Sequence, residues 1–329
     1  MNFSELMSIA GGHAEARIVQ TAMALGVFDA LKNAPQSVEA VAAQLQLDST
    51  AAELLLNALA ALTLIEKHAQ TFSLSEAARL YLLKSSPRYV GGMILFEEAT
   101  WQWWTKLPEA LRTGKPARRP DMYQEDARET AVFIDAMDSL VKARGDADAV
   151  AEAFDWQNVR ALLDVGSGPA TYPIALCRRF PRLHATIFDL PGTLEITARC
   201  VREAGLAGRI DLVAGDYRKD PIPGEFDAVF LSNIIHGENS SRNQALIGKL
   251  AGNLKPAGSI VIKDHILDES HANPAVGAIF SLLMLLTTDG GRCYSFGEIK
   301  SWLERAGLTR TRQIDLPPPL TSSLVVAAR

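Results

Sequence analysis

Three aspartates and one histidine stand where short apolar runs give way to polar loops. Asp164 ends LLD, Asp189 ends TIFD, Asp216 ends VAGD, and His236 follows DAVFLSNII. A carboxylate at the end of a strand in an open sheet faces the ligand crevice and can accept hydrogen bonds from both hydroxyls of a ribose. An imidazole in the same crevice can take a proton from a reacting hydroxyl. Between the first two aspartates lies DVGSGPAT, where Gly166 and Gly168 let the chain turn sharply and bring its backbone close to a ligand. A nicotinamide site would carry a third glycine where this chain has Thr171, and a P-loop would carry a lysine that is missing. Asp189 alone does not distinguish one adenosine cofactor from another. Asp216 and Tyr217 could hold the edge and face of an adenine. His236 is either a working base or a polar residue at a strand end.

Positioning these groups in one crevice requires a parallel sheet. From about Val159 the runs ALLDV, HATIF, IDLV, DAVFL and SIVIK alternate with the helical stretches PIALCRRF, LEITARCVREAGL and RNQALIGKLAGNL. That alternation predicts a doubly wound α/β fold. TRTRQIDL and SSLVVAAR are separated only by PPPLT, which allows antiparallel pairing but no crossover. The sheet is therefore expected to be mostly parallel, with one antiparallel strand at its C-terminal end.

The first hundred residues read differently. VEAVAAQLQL and DSTAAELLLNALAALTLI are helical, EKHAQTFSLS reads as a two-stranded wing, and AARLYLL is a further helix. Thr50 with Glu53, and Ser73 with Glu76, are predicted capping boxes. The arrangement is that of a winged helix. Its recognition helix, Thr50 to Ile65, holds no Lys or Arg and is apolar nearly all round. DNA binding would need those basic contacts, so a packing or dimerisation role is expected, shared by a helix from Leu6 to Leu25. The domain boundaries expected are 1–100 for this head, 101–155 for a helical connector containing WQWW, and 156–329 for the sheet.

Taken in order, DVGSGPA, FDLP, GDY, the His236 loop and TTDGGRCYSFGEIKSWLERAGL resemble the S-adenosylmethionine-dependent O-methyltransferases of the caffeate and acetylserotonin type, which include bacterial members acting on polyketides and phenazines. The resemblance covers nearly the whole chain, because that family also has a winged-helix dimerisation domain. It implies a Rossmann-like cofactor domain. The implied cofactor contacts are Asp164, Gly166, Gly168, Asp189, Leu190, Asp216, Tyr217 and Ser232. It implies His236 as general base, Asp264 as the carboxylate that orients it, and Phe133, Met137, Phe280 and Met284 as the lining of a flat aromatic pocket. Five positions depart from the family pattern, Asp264 among them as a shorter carboxylate than the usual glutamate. His236 is followed by Gly237 and Glu238 rather than Asp and Trp, Ser232 stands where a lysine is common, and Cys293 replaces a second orienting carboxylate. Relatives of this fold also exist that methylate carbon or nitrogen, or that keep the cofactor for hydroxylation or pericyclic chemistry.

The totals fit these expectations. The formal charge of −5 argues against a mainly electrostatic nucleic-acid binder. The three cysteines form no metal-like cluster, and no metal is expected. The opening residues lack the order of a signal peptide, and the longest apolar stretch, AIFSLLMLL, is too short for a membrane span. A cytoplasmic homodimer acting on a small aromatic molecule is the expected protein.

Overall fold

The computed structural model describes all 329 residues and divides into two units. The first comprises Met1–Trp101 and Asp135–Ala143; the second comprises Gln102–Ile134 and Arg144–Arg329. The stretch expected as a separate connector is thus shared between them.

The first unit opens with α1 (Phe3–Leu25), capped by a reciprocal Asn2–Glu5 box and stopped by Gly26 in the left-handed conformation. There follow α2 (Val27–Ala30), α3 (Val38–Leu45), α4 (Ser49–Ala61), α5 (Glu76–Tyr81) and α6 (Gly91–Ala99). Strands β1 (Gln36–Ser37), β2 (Ile65–His68) and β3 (Thr71–Leu74) form a small antiparallel sheet in the order β1-β3-β2, which is the expected wing with one extra strand. Phe28, Leu31, Leu56, Leu59, Ile65 and Phe72 make its core. Both expected capping boxes are displaced. α4 is capped by Asp48, whose carboxylate accepts from the Ala51 amide, and α5 by Ser75, which accepts from Ala78. In each case another capable side chain sits at the residue where the chain is still extended, and that geometry decides the cap. α4 is not buried all round either: Leu54 is 68% exposed, as are Phe3 (79%) and Ile9 (69%) on α1.

A short α7 (Trp101–Trp104) and α8 (Leu107–Thr113) come next, and α9 (Ala127–Arg144) contributes residues to both units. No residue of α7 is fully buried, so the WQWW motif is not a core element.

The rest of the second unit is the α/β sheet. Its strands are β4 (Ala161–Val165), β5 (His184–Asp189), β6 (Ile210–Ala214), β7 (Phe226–Ser232), β8 (Leu254–Asp264), β11 (Thr309–Asp315) and β12 (Ser323–Ala328). The order is β11-β12-β8-β7-β4-β5-β6. Every pairing from β8 to β6 is parallel, and β12 is antiparallel to both its neighbours. The single antiparallel strand therefore lies inside the sheet, between β8 and β11. β9 (Ile266–Leu267) and β10 (Tyr294–Ser295) form a separate two-residue parallel pair. The helices of this part are α10 (Asp146–Ala153), α11 (Thr171–Arg179), α12 (Pro191–Glu203), α13 (Ser240–Gly252), α14 (Ala275–Thr287) and α15 (Phe296–Arg305). One face of the sheet, from Leu163, Val229, Ile260 and Val325, packs on Leu246, Leu250, Ile299 and Trp302 of α13 and α15. On the other, Phe230 meets Trp156 and Tyr172 edge to face. Parallel strands covered on both faces explain the nearly continuous apolar runs in the sequence.

Candidate active site

The loop after β4 carries the glycines. Gly166 (φ 68°), Gly168 (φ 60°) and Ala170 (φ 63°) alternate with ordinary residues in the left-handed region, so the loop curls tightly into the start of α11. Asp189, at the end of β5, accepts from the Gly168 amide at 2.9 Å and the Leu190 amide at 2.7 Å. These bonds fix the carboxylate at the mouth of the loop while lone pairs remain for hydroxyl donors. Burial pushes its pKa up to about 6, the two amides pulling the other way. Asp164 is more extreme. It is 1% exposed, and neither its oxygens nor the Ser167 hydroxyl beside it has a hydrogen-bond partner. Burial drives its pKa up to about 7, the nearby Ser167 hydroxyl pulling the other way and the Asp189 charge adding to the rise. A buried, unpartnered carboxylate is costly. Such a group beside a glycine loop suits a ligand that brings a cation.

Asp216 and Tyr217 follow β6. Both Asp216 oxygens already accept from the Arg218 guanidinium at 3.0 Å, and burial notwithstanding, that contact holds its pKa below the ordinary value. Tyr217, expected to offer its ring face to adenine, is largely enclosed by the protein. The ring lies in the hydrophobic core at 7% exposure, and its hydroxyl donates to Glu238 at 3.0 Å. An apolar ring with one satisfied polar tip is more stable there than on an open crevice wall. Ser232, in register with Lys263 of β8, accepts from the Asn233 side-chain amide at 3.2 Å, so its hydroxyl oxygen is already engaged within the protein.

His236 sits in a 3₁₀ turn, Ile235–Gly237, just past β7. Its Nδ1 lies 2.8 Å from Oδ1 of Asp264 at the end of β8. A carboxylate on Nδ1 selects the tautomer with Nδ1–H, which leaves Nε2 as the acceptor. Burial would raise the Asp264 pKa, but the His236 charge and hydrogen bond, with help from His265, hold it below the usual carboxylate value. The carboxylate also accepts from the His265 amide at 2.8 Å, so it is locked in place. Phe280 of α14 meets the His236 ring edge on, with centroids 4.8 Å apart, and His265 touches the same phenyl at 5.4 Å. Cys293 lies near Asp264, and burial pushes its thiol up to about 12, so it stays protonated.

Of the four residues expected to line an acceptor pocket, Phe280, Met284 and Phe133 belong to the unit that holds His236. Met284 is buried at 7% exposure. Phe133 stacks on Tyr123 at 4.3 Å, and the Arg118 guanidinium lies 4.0 Å from the centre of the Tyr123 ring. Met137 is counted with the first unit. The loop that carries Arg118 and Tyr123 runs between two functional elements. The Ala117 and Arg118 amides donate to the Leu286 carbonyl of α14, and the Gln124 side chain donates to Thr193 of α12.

Sequence reasoning missed two buried groups. Lys263 is fully buried and forms an ion pair at 2.9 Å with Asp146, which also receives two hydrogen bonds from Arg144. Tyr172 of α11 approaches the same carboxylate at 3.4 Å. The signal was a lysine inside SIVIK, a run that must be covered on both faces. The second group is Glu238, 2% exposed, treated beforehand only as a departure from a pattern.

Fold and site together define an enzyme with a Rossmann-like adenosine crevice and an imidazole–carboxylate pair at its open end. The O-methyltransferase domain family matches residues 110–309, and the O-methyltransferase dimerisation domain matches residues 7–84. The 3-hydroxy-5-methyl-1-naphthoate 3-O-methyltransferase of Streptomyces sahachiroi is 30% identical over 98% of this chain and 94% of its own. The N,N-dimethyltransferase OxyT of Streptomyces rimosus is 26% identical over 98% and 95%. An O-methyltransferase family protein from Burkholderia thailandensis has a structure that superposes with a TM-score of 0.90 at 26% identity, covering 100% of this chain and 98% of that one. The chain belongs to the O-methyltransferase family. The methyl donor of that family is S-adenosylmethionine, and the residues present fit it. Asp189 can take the ribose hydroxyls, and the unpartnered Asp164 carboxylate and the loop amides can take the charged methionyl end. No helix is long and apolar enough to cross a membrane.

Proposed function

We propose that this enzyme moves a methyl group to a hydroxyl of a small aromatic acceptor, with His236 as general base. The observation that carries the reading is the 2.8 Å contact between His236 Nδ1 and Asp264, with Phe280 against the imidazole edge. S-adenosylmethionine, when bound, supplies a methyl group on an electrophilic sulfonium. The protein's part is to prepare the oxygen. A neutral phenol, with a pKa of about 10, is a poor nucleophile. Nε2 of His236 accepts its proton as the oxygen attacks, and Asp264 stabilises the imidazolium that forms. Proton removal of this kind is worth about 10²–10⁴ in rate. Phe280 and Met284 supply flat and adaptable apolar surface for an aromatic ring, and the Tyr123–Phe133 stack extends the apolar lining.

The naphthoate-methylating relative supports a polyketide-like phenolic acceptor. The N,N-dimethyltransferase relative supports a second reading, methylation of an amine, in which His236 takes a proton from nitrogen instead. The apolar exposed residues of α1 and α4 support assembly as a homodimer through the first unit. Incubating the enzyme with S-adenosylmethionine and matched panels of phenols and anilines decides between the readings. The proposal expects S-adenosylhomocysteine and a product 14 mass units heavier, about one CH₂, from phenols only. Methylated anilines, or turnover of neither panel, would count against it.

A further inference from the structure

Glu238 is one of several buried charges in the molecule. It lies two residues after His236, is 2% exposed, and closes the turn that carries the imidazole. Its backbone is gripped from three directions. The amide donates to the Ile235 carbonyl at 3.3 Å, while the carbonyl accepts from the Tyr294 hydroxyl at 2.6 Å and from Asn243 at 3.2 Å. Its side chain is held just as specifically. Oε1 accepts from the Tyr217 hydroxyl at 3.0 Å, and Oε2 faces Arg242 at 3.5 Å. Arg242 is itself drawn outward by Asp289 at 2.8 Å, so Tyr217 makes the tighter contact. Packing alone would be better served by an apolar side chain, because a buried carboxylate is stable only when it is well partnered.

Tyr217 gives the contact its meaning. It follows Asp216 in the loop after β6, and β6 is separated from β7 in the sheet by β5 and β4. One charge-assisted hydrogen bond therefore joins the loop at the adenosine end of the crevice to the turn that carries the base. Lys249 of α13 fixes the same loop by donating to the Tyr217 carbonyl at 2.7 Å. Asn243, which grips the His236 turn, is on that same helix.

We infer that Glu238 is a positioning residue for His236, and that Tyr217 makes that position respond to what binds beside Asp216. Asp264 sets the rotation of the imidazole and also accepts from the His236 amide at 3.4 Å, while Glu238 holds the C-terminal end of the same turn. Both must be right for Nε2 to meet an acceptor oxygen. The inference rests on His236 acting as the base.

The test uses the full chain labelled with ¹⁵N-histidine and reads the low-field Nδ1–H proton resonance of His236, assigned by its loss in His236→Gln. Saturating S-adenosylhomocysteine should move this resonance in the wild type. In Tyr217→Phe the ligand should bind within about threefold of wild type, yet the resonance should stay in place. Turnover of Tyr217→Phe should fall about tenfold with little change in KM for S-adenosylmethionine, a smaller loss than the roughly 10²-fold of a 1 Å misplacement. Glu238→Gln keeps an acceptor for Tyr217 and should keep the movement, while Glu238→Leu should lose it. Those two variants decide the matter if Tyr217→Phe does not fold. A wild-type resonance that ignores the ligand, an equal movement in Tyr217→Phe and Glu238→Leu, or turnover in both within about twofold of wild type would overturn the inference. If His236 is not the base, His236→Gln keeps turning over, and the resonance comparison still reports on the coupling.

Discussion

At the scale of single residues, the imidazole–carboxylate pair makes the sharpest prediction. His236→Ala should lose about 10²–10⁴ in turnover while still binding cofactor. The loss should shrink steadily as the acceptor phenol is made more acidic, because an acceptor that ionises unaided has no need of a base. A deficit independent of acceptor acidity, measured across substituted phenols, would assign His236 a positional role instead. Asp264→Asn should fall between wild type and His236→Ala, and Cys293→Ser should cost little, since a protonated thiol and a hydroxyl are both uncharged. Asp164 makes a separate prediction about pH. Its carboxyl is raised from 3.8 to about 7 in the folded protein. Its charged form is therefore disfavoured, and the cost to stability builds as pH rises from its ordinary value to about 7 and is constant above. A bound ammonium would relieve that cost and lower the pKa. Cofactor binding near pH 6.5 should then release protons, and affinity should rise with pH before levelling off just above neutrality. Calorimetry in buffers of different ionisation enthalpy should show the release in wild type and lose most of it in Asp164→Asn. The pairing of His236 with Asp264 was visible in the sequence, because both close adjacent strands of one sheet. The Tyr217–Glu238 contact was not legible, because strand-end position says where a residue stands but not which way its side chain turns. The buried Asp146–Lys263 pair was missed because its partners are more than a hundred residues apart.

At the scale of elements, the turn that holds His236 depends on a neighbour with no side chain. A Cβ on Gly291 would lie 2.3 Å from the His236 carbonyl oxygen and 2.9 Å from the Gly237 carbonyl carbon. Backbone cannot yield as a flexible side chain can, so Gly291→Ala should push the whole turn. About 10²-fold should be lost from turnover, as for a displacement of roughly 1 Å at the reacting centre. Circular dichroism should show the fold retained, and cofactor affinity should be nearly unchanged because the Asp164–Asp189 end is untouched. Full turnover in Gly291→Ala would mean that the turn is softer than its contacts imply. Most elements were legible. ALLDV is β4 residue for residue, and the wing strands fell where the weak alternation placed them. The helix caps did not, since Asp48 and Thr50 are both able to cap and sequence spacing cannot say which of them is still extended.

At the scale of the whole molecule, purified protein should scatter light as a particle of twice the 35.7 kDa chain mass. Phe3→Glu together with Ile9→Glu should halve it, because charges would then occupy an apolar surface that assembly has to cover. A monomeric wild type at micromolar concentration would refute this. The architecture was readable because two periodicities, one per unit, divide the sequence. The sharing of α9 between units was not readable, since a single regular helix carries no mark of where its allegiance changes. One feature of the sheet also bears on how the enzyme is made. β12 enters between β8 and β11, and its Ser323 stands opposite Asp264. During synthesis β8 is therefore complete long before its antiparallel partner exists, and one edge of the strand that ends in Asp264 waits unpaired. An unprotected strand edge invites other chains. A nascent polypeptide on the ribosome would present the cofactor loops early and complete the sheet around Asp264 only after Ser323 has emerged. Stalled or prematurely terminated translation products should thus be prone to capture by chaperones, and they should be inactive even where the adenosine end has already folded.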